Sequence, residues 1–265
     1  MGTAKIQGEL WGAKARDWAE LQEPSWRPVY EAVHARTGIT SGTDVLDVGC
    51  GAGAALVAAR DRGANVSGLD AAETLVAIAR ERLPGARIAV GEMEALPFAD
   101  AAFDVVTGFN AFQFAADIRR ALGEARRVCR RGGTVAMLVW GPKDECDLAR
   151  ATLPAVFALL PPASAAAPAA PPLSQPGVIE AHLEAAGLRP TASGDVECHF
   201  TYPDTATAWR AISSAGAVVR AIRHAGEPAV RNAVIDTLGP FTLPNGSVLQ
   251  RNRFHWVMAT PAAAA

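Results

Sequence analysis

The sequence predicts an α/β fold on a doubly wound, mostly parallel sheet. Three observations carry this. Short apolar runs alternate with helical stretches from Val45 to Trp140, the pattern of a parallel sheet with crossover helices. An apolar strand leads into Asp47 and then Gly49, Gly51 and Gly53 at every second position. A second apolar strand ends in an acid, Asp70, 21 residues beyond Gly49.

Val45, Leu46 and Val48 read as a buried parallel strand. The glycines after it allow a sharp turn and close approach of a ligand to the main chain. The Ala/Leu/Val-rich stretch Ala54–Arg60 reads as a helix whose free N–H groups face that loop. Further strands are expected at Asn65–Asp70, Arg87–Val90, Phe103–Gly108 and Thr134–Trp140, with helices at Ala72–Arg82 and Ala116–Cys129. Arg130-Arg131-Gly132-Gly133 reads as the turn before the fifth strand.

The loop suits two ligand classes. Dinucleotide folds use Gly-x-Gly-x-x-Gly or Ala, with an acid about 20 residues on for the ribose. Gly49, Gly51 and Ala54 satisfy that spacing. Asp70 is placed to accept both ribose hydroxyls, and it also suits the start of the next helix as a cap.

The block Val-Leu-Asp47-Val-Gly49-Cys50-Gly51-Ala-Gly53, then Leu69-Asp70, then Glu94-Ala-Leu-Pro-Phe98 with Phe103-Asp-Val-Val106, resembles class I S-adenosylmethionine-dependent methyltransferases. It is most similar to the ubiquinone/menaquinone-biosynthesis-like, small-molecule subgroup. The resemblance covers residues 11–140 and implies a Rossmann-like sheet of seven strands, the last antiparallel, with a helical cap. It implies S-adenosyl-L-methionine as cofactor. Asp47, Gly49, Cys50, Gly51 and Gly53 would then form the loop under its methionine and ribose, with Asp70 on the ribose diol and Ala71 beside the adenine. Glu92 would meet the adenine amino group and Met93 offer its N–H to a ring nitrogen, although relatives usually carry Asp and Ala there. Asn110, with Phe109, would line the sulfonium end.

Trp11, Ala15 and Trp18 are spaced to share one helical face. Relatives often carry Tyr-x-x-x-Ala-x-x-Tyr there, so Trp18 is assigned to the cofactor as part of an aromatic lid suited to a sulfonium. Packing of the N-terminal helix onto the core explains the same pattern. Trp26 and Tyr30 follow on the next helix.

The chain has 265 residues, half of them apolar, and a net charge of −2. No apolar run is long enough to span a bilayer, and the first residues lack a signal-type apolar core. The arginines are dispersed, which argues against nucleic acid. Four cysteines show neither metal spacing nor a disulfide framework. The expectation is a cytoplasmic enzyme, monomer or homodimer, with a small-molecule substrate, no bound metal and no membrane or nucleic-acid partner.

One domain is expected: lid helices over 1–40, the cofactor-binding core over 41–140, a Pro/Ala-rich mobile loop over 141–176, and completion of the sheet with inserted cap helices over 177–265. Within the last part, Ser174 reads as the cap of a helix running to Ala186, with a strand near Asp195–Tyr202. Helices are expected at Thr205–Ala225 and Glu227–Leu238, a turn at Pro244-Asn245-Gly246, and a last strand at Phe254–Thr260.

Methyl displacement needs chiefly alignment of nucleophile, carbon and sulfur. Where many relatives have His-His after the fourth strand, this chain has Gln113-Phe114, so no catalytic base is assigned. His199 and His224, in the expected cap, are the better histidines for that role. Two alternatives stay open: a non-methylating member of the fold that binds the cofactor and catalyses cyclisation or rearrangement, and an NAD(P)-dependent oxidoreductase.

Overall fold

The central strand of the sheet is the one that opens the glycine loop. Val45, Leu46 and Val48 are fully buried, since Asp44–Val48 (β1) lies between Asn65–Asp70 (β2) and Phe103–Phe109 (β4), both parallel to it. Residues 2–161 and 172–262 are described in this computed structural model.

Adding Arg87–Val90 (β3), Cys129–Trp140 (β5), Leu188–Glu197 (β6) and Arg253–Pro261 (β9) completes a seven-stranded sheet in the order β3-β2-β1-β4-β5-β9-β6. β9 is antiparallel to both its neighbours. Strand order reverses between β1 and β4, which opens a crevice at their C-terminal ends where this architecture holds ligands.

Alternation along β5 sets the two faces. Val135, Met137 and Val139 pack with Ile118–Val128 (α6) and Val178–Ala185 (α8). Ala136 and Leu138 face the cluster built by Arg27–Arg36 (α3), Ala55 of Ala54–Arg60 (α4), and the cap. Glu73–Arg82 (α5) packs on β2 and β3. The cap consists of Thr205–Ser213 (α9), Gly216–Ala225 (α10) and Glu227–Leu238 (α11), with the small sheet Phe200–Tyr202 (β7) and Val248–Gln250 (β8).

Several expectations change in the structure. The N-terminal segment is not one helix: Ala4–Trp11 (α1) is followed by a 3-10 turn, the single turn Ala15–Asp17 (α2) and a π-turn at Trp18–Gln22. Lys14 leaves helical geometry at φ −130°, where the segment bends between the helix Glu73–Arg82 and the cap helix Gly216–Ala225. α6 begins at Ile118 rather than Ala116, since the Asp117 carboxylate accepts from the amides of Arg119 and Arg120. Arg130–Gly133 belongs to β5 as an irregularity in its pairing with β4, and Gly132 takes φ 78° there.

α8 starts after Gly177, not Ser174; the left-handed Gly177 (φ 82°) sets its entry. The strand expected near 195–202 is two strands, β6 and β7, in different sheets. Thr205–Ala225 breaks at Ser214-Ala215, where the Ser214 hydroxyl donates back to the Ala211 carbonyl. Part of the span expected as loop over 141–176 is helical: a π-turn at Leu148–Thr152 continues into Leu153–Phe157 (α7). Val156 is buried there, and the Thr152 and Thr237 hydroxyls are 3.0 Å apart. Residues 162–171 of that Pro/Ala-rich stretch lie outside the described residues.

Candidate active site

The crevice contains a partly open cavity over the C-terminal ends of β1, β2 and β4. Ten residues that the sequence singles out meet at its wall: Trp18, Asp47, Gly49, Cys50, Gly51, Asp70, Ala71, Glu92, Met93 and Asn110. Gly53 does not. It turns the chain into α4 with φ 87°, and a Cβ there would point at Ala79 and Leu83 of the α5 region, 3.1 and 3.3 Å away. Its role is backbone geometry rather than ligand contact.

The glycine loop is held from three sides. Gly49 and Cys50 amides donate to the Leu69 carbonyl. Gly49 has φ 77°, and a Cβ on it would sit 2.5 Å from that of Ala111, so only glycine fits between β1 and the turn after β4. The Gly51 amide donates to Asp70 Oδ2 at 2.9 Å and the Ala72 amide to Oδ1 at 2.8 Å. These two bonds fix the carboxylate at the end of β2 and oppose the burial that raises its pKa. Asp70 is thus both loop anchor and acidic wall of the cavity.

Asp47 is 2 % exposed and accepts from the Thr107 hydroxyl at 2.7 Å. Burial, with the nearby Asp70 and Glu23 carboxylates, pushes its pKa up to about 8. Cys50 is buried and its thiol is pushed well above the usual range by the same causes, which leaves it a neutral lining group. After β4 the backbone of Asn110 is left-handed (φ 52°), and its side-chain oxygen accepts from Gln113 Nε2. Gln113 therefore positions Asn110.

The N-terminal segment closes the cavity. Trp11 and Trp18 meet edge to face with centroids 4.9 Å apart, despite the break between them, and Trp11 touches Phe114. Trp26 and Tyr30 are buried and also line the cavity; Tyr30 packs edge-on against Phe109 at 4.9 Å. Burial, with Glu23 and Asp47 nearby, raises the Tyr30 phenol well above its ordinary value, so it is a neutral hydroxyl. Glu92 meets this segment as well: its Oε2 accepts from the Ala4 amide at 2.9 Å.

Glu23 carries no sequence signal, because it sits past a π-turn where helical periodicity fails. It lines the cavity at 2 % exposure, accepting from the Ala52 amide (2.9 Å) and from Arg82. Arg82 also donates to the Ala19 and Ala52 carbonyls. Burial pushes the Glu23 pKa up to about 7 against the pull of Arg82. The cap histidines do not reach the cavity: His199 lies at the surface beside Glu197, and His224 is exposed on α10. His34 is buried next to Phe109 with Nδ1 unpartnered, and burial lowers its pKa to about 4. Among the described residues no cluster of His, Cys, Asp or Glu could hold a metal, and no helix is long and apolar enough to cross a membrane.

The sheet order, the antiparallel β9 and the crevice over the glycine loop define the Rossmann-like class I methyltransferase fold. Residues 46–137 match the family described as a methyltransferase domain. A malonyl-[acyl-carrier protein] O-methyltransferase of Pectobacterium atrosepticum is 34 % identical over 134 residues, 51 % of either chain. The chain thus spans about half the length of the curated relatives it matches. Among solved structures, the geranyl diphosphate C-methyltransferase of Streptomyces coelicolor, crystallised with S-adenosyl-L-homocysteine, aligns with TM-score 0.52 and 17 % identity over 88 % of this chain and 78 % of that one. The [4+2]-cyclase SpnF aligns with TM-score 0.55 and 20 % identity over 89 % and 80 %.

Proposed function

We propose that this protein is an S-adenosyl-L-methionine-dependent methyltransferase of the ubiquinone/menaquinone-biosynthesis-like subgroup, acting on a small apolar or aromatic acceptor. The observation that carries the reading is the meeting on one cavity of Asp70, Gly49 and Gly51, all within the segment that matches a methyltransferase domain, with the Trp18 ring from the N-terminal segment. These groups suit the cofactor: a fixed carboxylate for a ribose diol, bare backbone for the methionine portion, and an electron-rich ring for positive sulfur. When bound, the cofactor supplies an activated methyl group. The protein's part is to orient the acceptor and keep water out. Trp26, Tyr30 and Phe109 give the cavity an apolar aromatic wall, and Asn110, held by Gln113, offers a polar contact beside it.

No histidine lines the cavity, and the Tyr30 phenol is held neutral. The reaction therefore favours acceptors that need no strong base, such as carbon or nitrogen nucleophiles or acidic phenols. The same lack supports a second reading, cyclisation or rearrangement with the cofactor retained unconsumed. We place the enzyme in the cytoplasm, as a monomer or homodimer.

Calorimetric titration with S-adenosylmethionine, S-adenosylhomocysteine and NADH tests the reading. Micromolar binding of the two sulfur nucleosides with none of NADH is expected; NADH binding alone would overturn it. Screening phenols, quinols and polyketides for release of S-adenosylhomocysteine then separates methyl transfer from turnover without cofactor consumption.

A further inference from the structure

The cavity contains a carboxyl group beside the glycine loop that the glycine-loop pattern does not supply. Glu23 supplies it from the N-terminal segment. A side chain on Gly51 would begin 3.0 Å from Glu23 Oε1 and 3.4 Å from Trp18 Nε1. A ligand filling the space that Gly51 leaves open therefore meets a carboxylate oxygen and an indole N–H together. A carboxylate oxygen has two acceptor sites. Oε1 uses one on the Ala52 amide and Oε2 one on Arg82.

The other two acids at the wall are differently engaged. Asp47 receives the Thr107 hydroxyl, and burial favours its protonated form. Asp70 has both oxygens on backbone amides, those of Gly51 and Ala72. Glu23 alone of the three is paired with an arginine, whose charge opposes the burial that raises its pKa to about 7.

We propose that Glu23 and Trp18 form a subsite for an α-amino-acid zwitterion, Glu23 accepting from the ammonium group and Trp18 Nε1–H donating to the carboxylate. This rests on the cofactor reading above and extends it to the amino-acid end. The chemistry is complementary: a carboxylate cannot donate, an indole cannot accept, and the two stand side by side over one glycine. The subsite would make the protein prefer the complete cofactor over nucleosides that lack the amino acid.

The test is a ligand–mutant cycle by calorimetry with three probes: S-adenosylhomocysteine, its deamino analogue, and 5′-methylthioadenosine, which lacks the amino-acid end. The wild type should bind S-adenosylhomocysteine at least about tenfold more tightly than the deamino analogue, a difference of about 1.4 kcal/mol. In Glu23→Gln that preference should vanish while 5′-methylthioadenosine affinity is unchanged. Trp18→Phe should weaken S-adenosylhomocysteine and leave 5′-methylthioadenosine unchanged. Equal loss for all three probes in Glu23→Gln would make Glu23 a loop support only and overturn the proposal. So would an undiminished preference for S-adenosylhomocysteine. If Glu23→Gln does not fold, Trp18→Phe carries the comparison: an undiminished affinity for S-adenosylhomocysteine there would overturn the proposal. Failure of every nucleoside to bind the wild type would instead overturn the cofactor reading itself.

Discussion

Asp70 and Glu23 hold consecutive amides of the glycine loop. Gly51 N–H donates to Asp70 and Ala52 N–H to Glu23, each at 2.9 Å. One carboxylate comes from the end of β2, the other from the segment that closes the cavity. The loop is thereby fixed between core and lid, and its geometry is held by both acids.

Replacing Asp70 by Ala should weaken S-adenosylhomocysteine binding by about 1.5–3 kcal/mol, since the ribose diol loses a charged acceptor. The same change orphans the Gly51 and Ala72 amides, so chemical denaturation should show a loss of similar size. Calorimetry and urea titration measure the two effects separately. Unchanged affinity would remove Asp70 from the site.

Two glycines of the loop should behave differently. Gly49→Ala adds a Cβ 2.5 Å from Ala111 in a left-handed backbone and should cost about 2–4 kcal/mol of stability, with loss of cofactor binding. Gly53→Ala also strains a left-handed position, for about 1–2 kcal/mol, but its Cβ points to α5. Its folded fraction should bind S-adenosylhomocysteine with wild-type affinity. Differential scanning calorimetry beside ligand titration distinguishes them.

Arg82→Ala leaves the Glu23 carboxylate buried without its cation and frees the Ala19 and Ala52 carbonyls. Breaking such a pair costs about 3–5 kcal/mol when both partners are buried; with Arg82 partly exposed, the expected loss in urea unfolding is nearer about 2–3 kcal/mol. Proteolysis should become faster around Trp18–Trp26.

The pH dependence of stability has two opposed parts. Asp47 and Glu23 have folded pKa values of about 8 and about 7, above their usual 3.8 and 4.5. The folded state thus binds more protons, and the contribution present below pH 4 is lost as pH rises through 8. His34, lowered from 6.5 to about 4, acts the other way: its neutral burial costs stability as pH falls from 6.5 towards 4. Thermal midpoints should fall between pH 6 and 8.5 in the wild type, and Asp47→Asn should flatten that limb. His34→Leu should flatten the acid limb.

Much of this was legible in the chain itself. Period-2 and buried apolar runs give β1 to β5, since those strands draw their burial from their own side-chain pattern. The glycine spacing and the acid ending β2 mark Asp47, Gly49, Gly51 and Asp70, because both requirements are local backbone and charge constraints, and the family resemblance adds Trp18, Cys50, Ala71, Glu92, Met93 and Asn110 on the same wall. What tertiary structure alone decided lies where local pattern and packing diverge. Trp11 and Trp18 meet across a broken helix rather than along one face, because the segment bends around α5 and the cap. β6 extends to Leu188 because β9 offers it a partner along its whole length. Glu23 joins the site from the 3-10 turn that follows the π-turn, a position that no spacing marks. Its place there is set by Arg82, 59 residues away along the chain, and pairing over such a distance leaves no trace in the local order of residues.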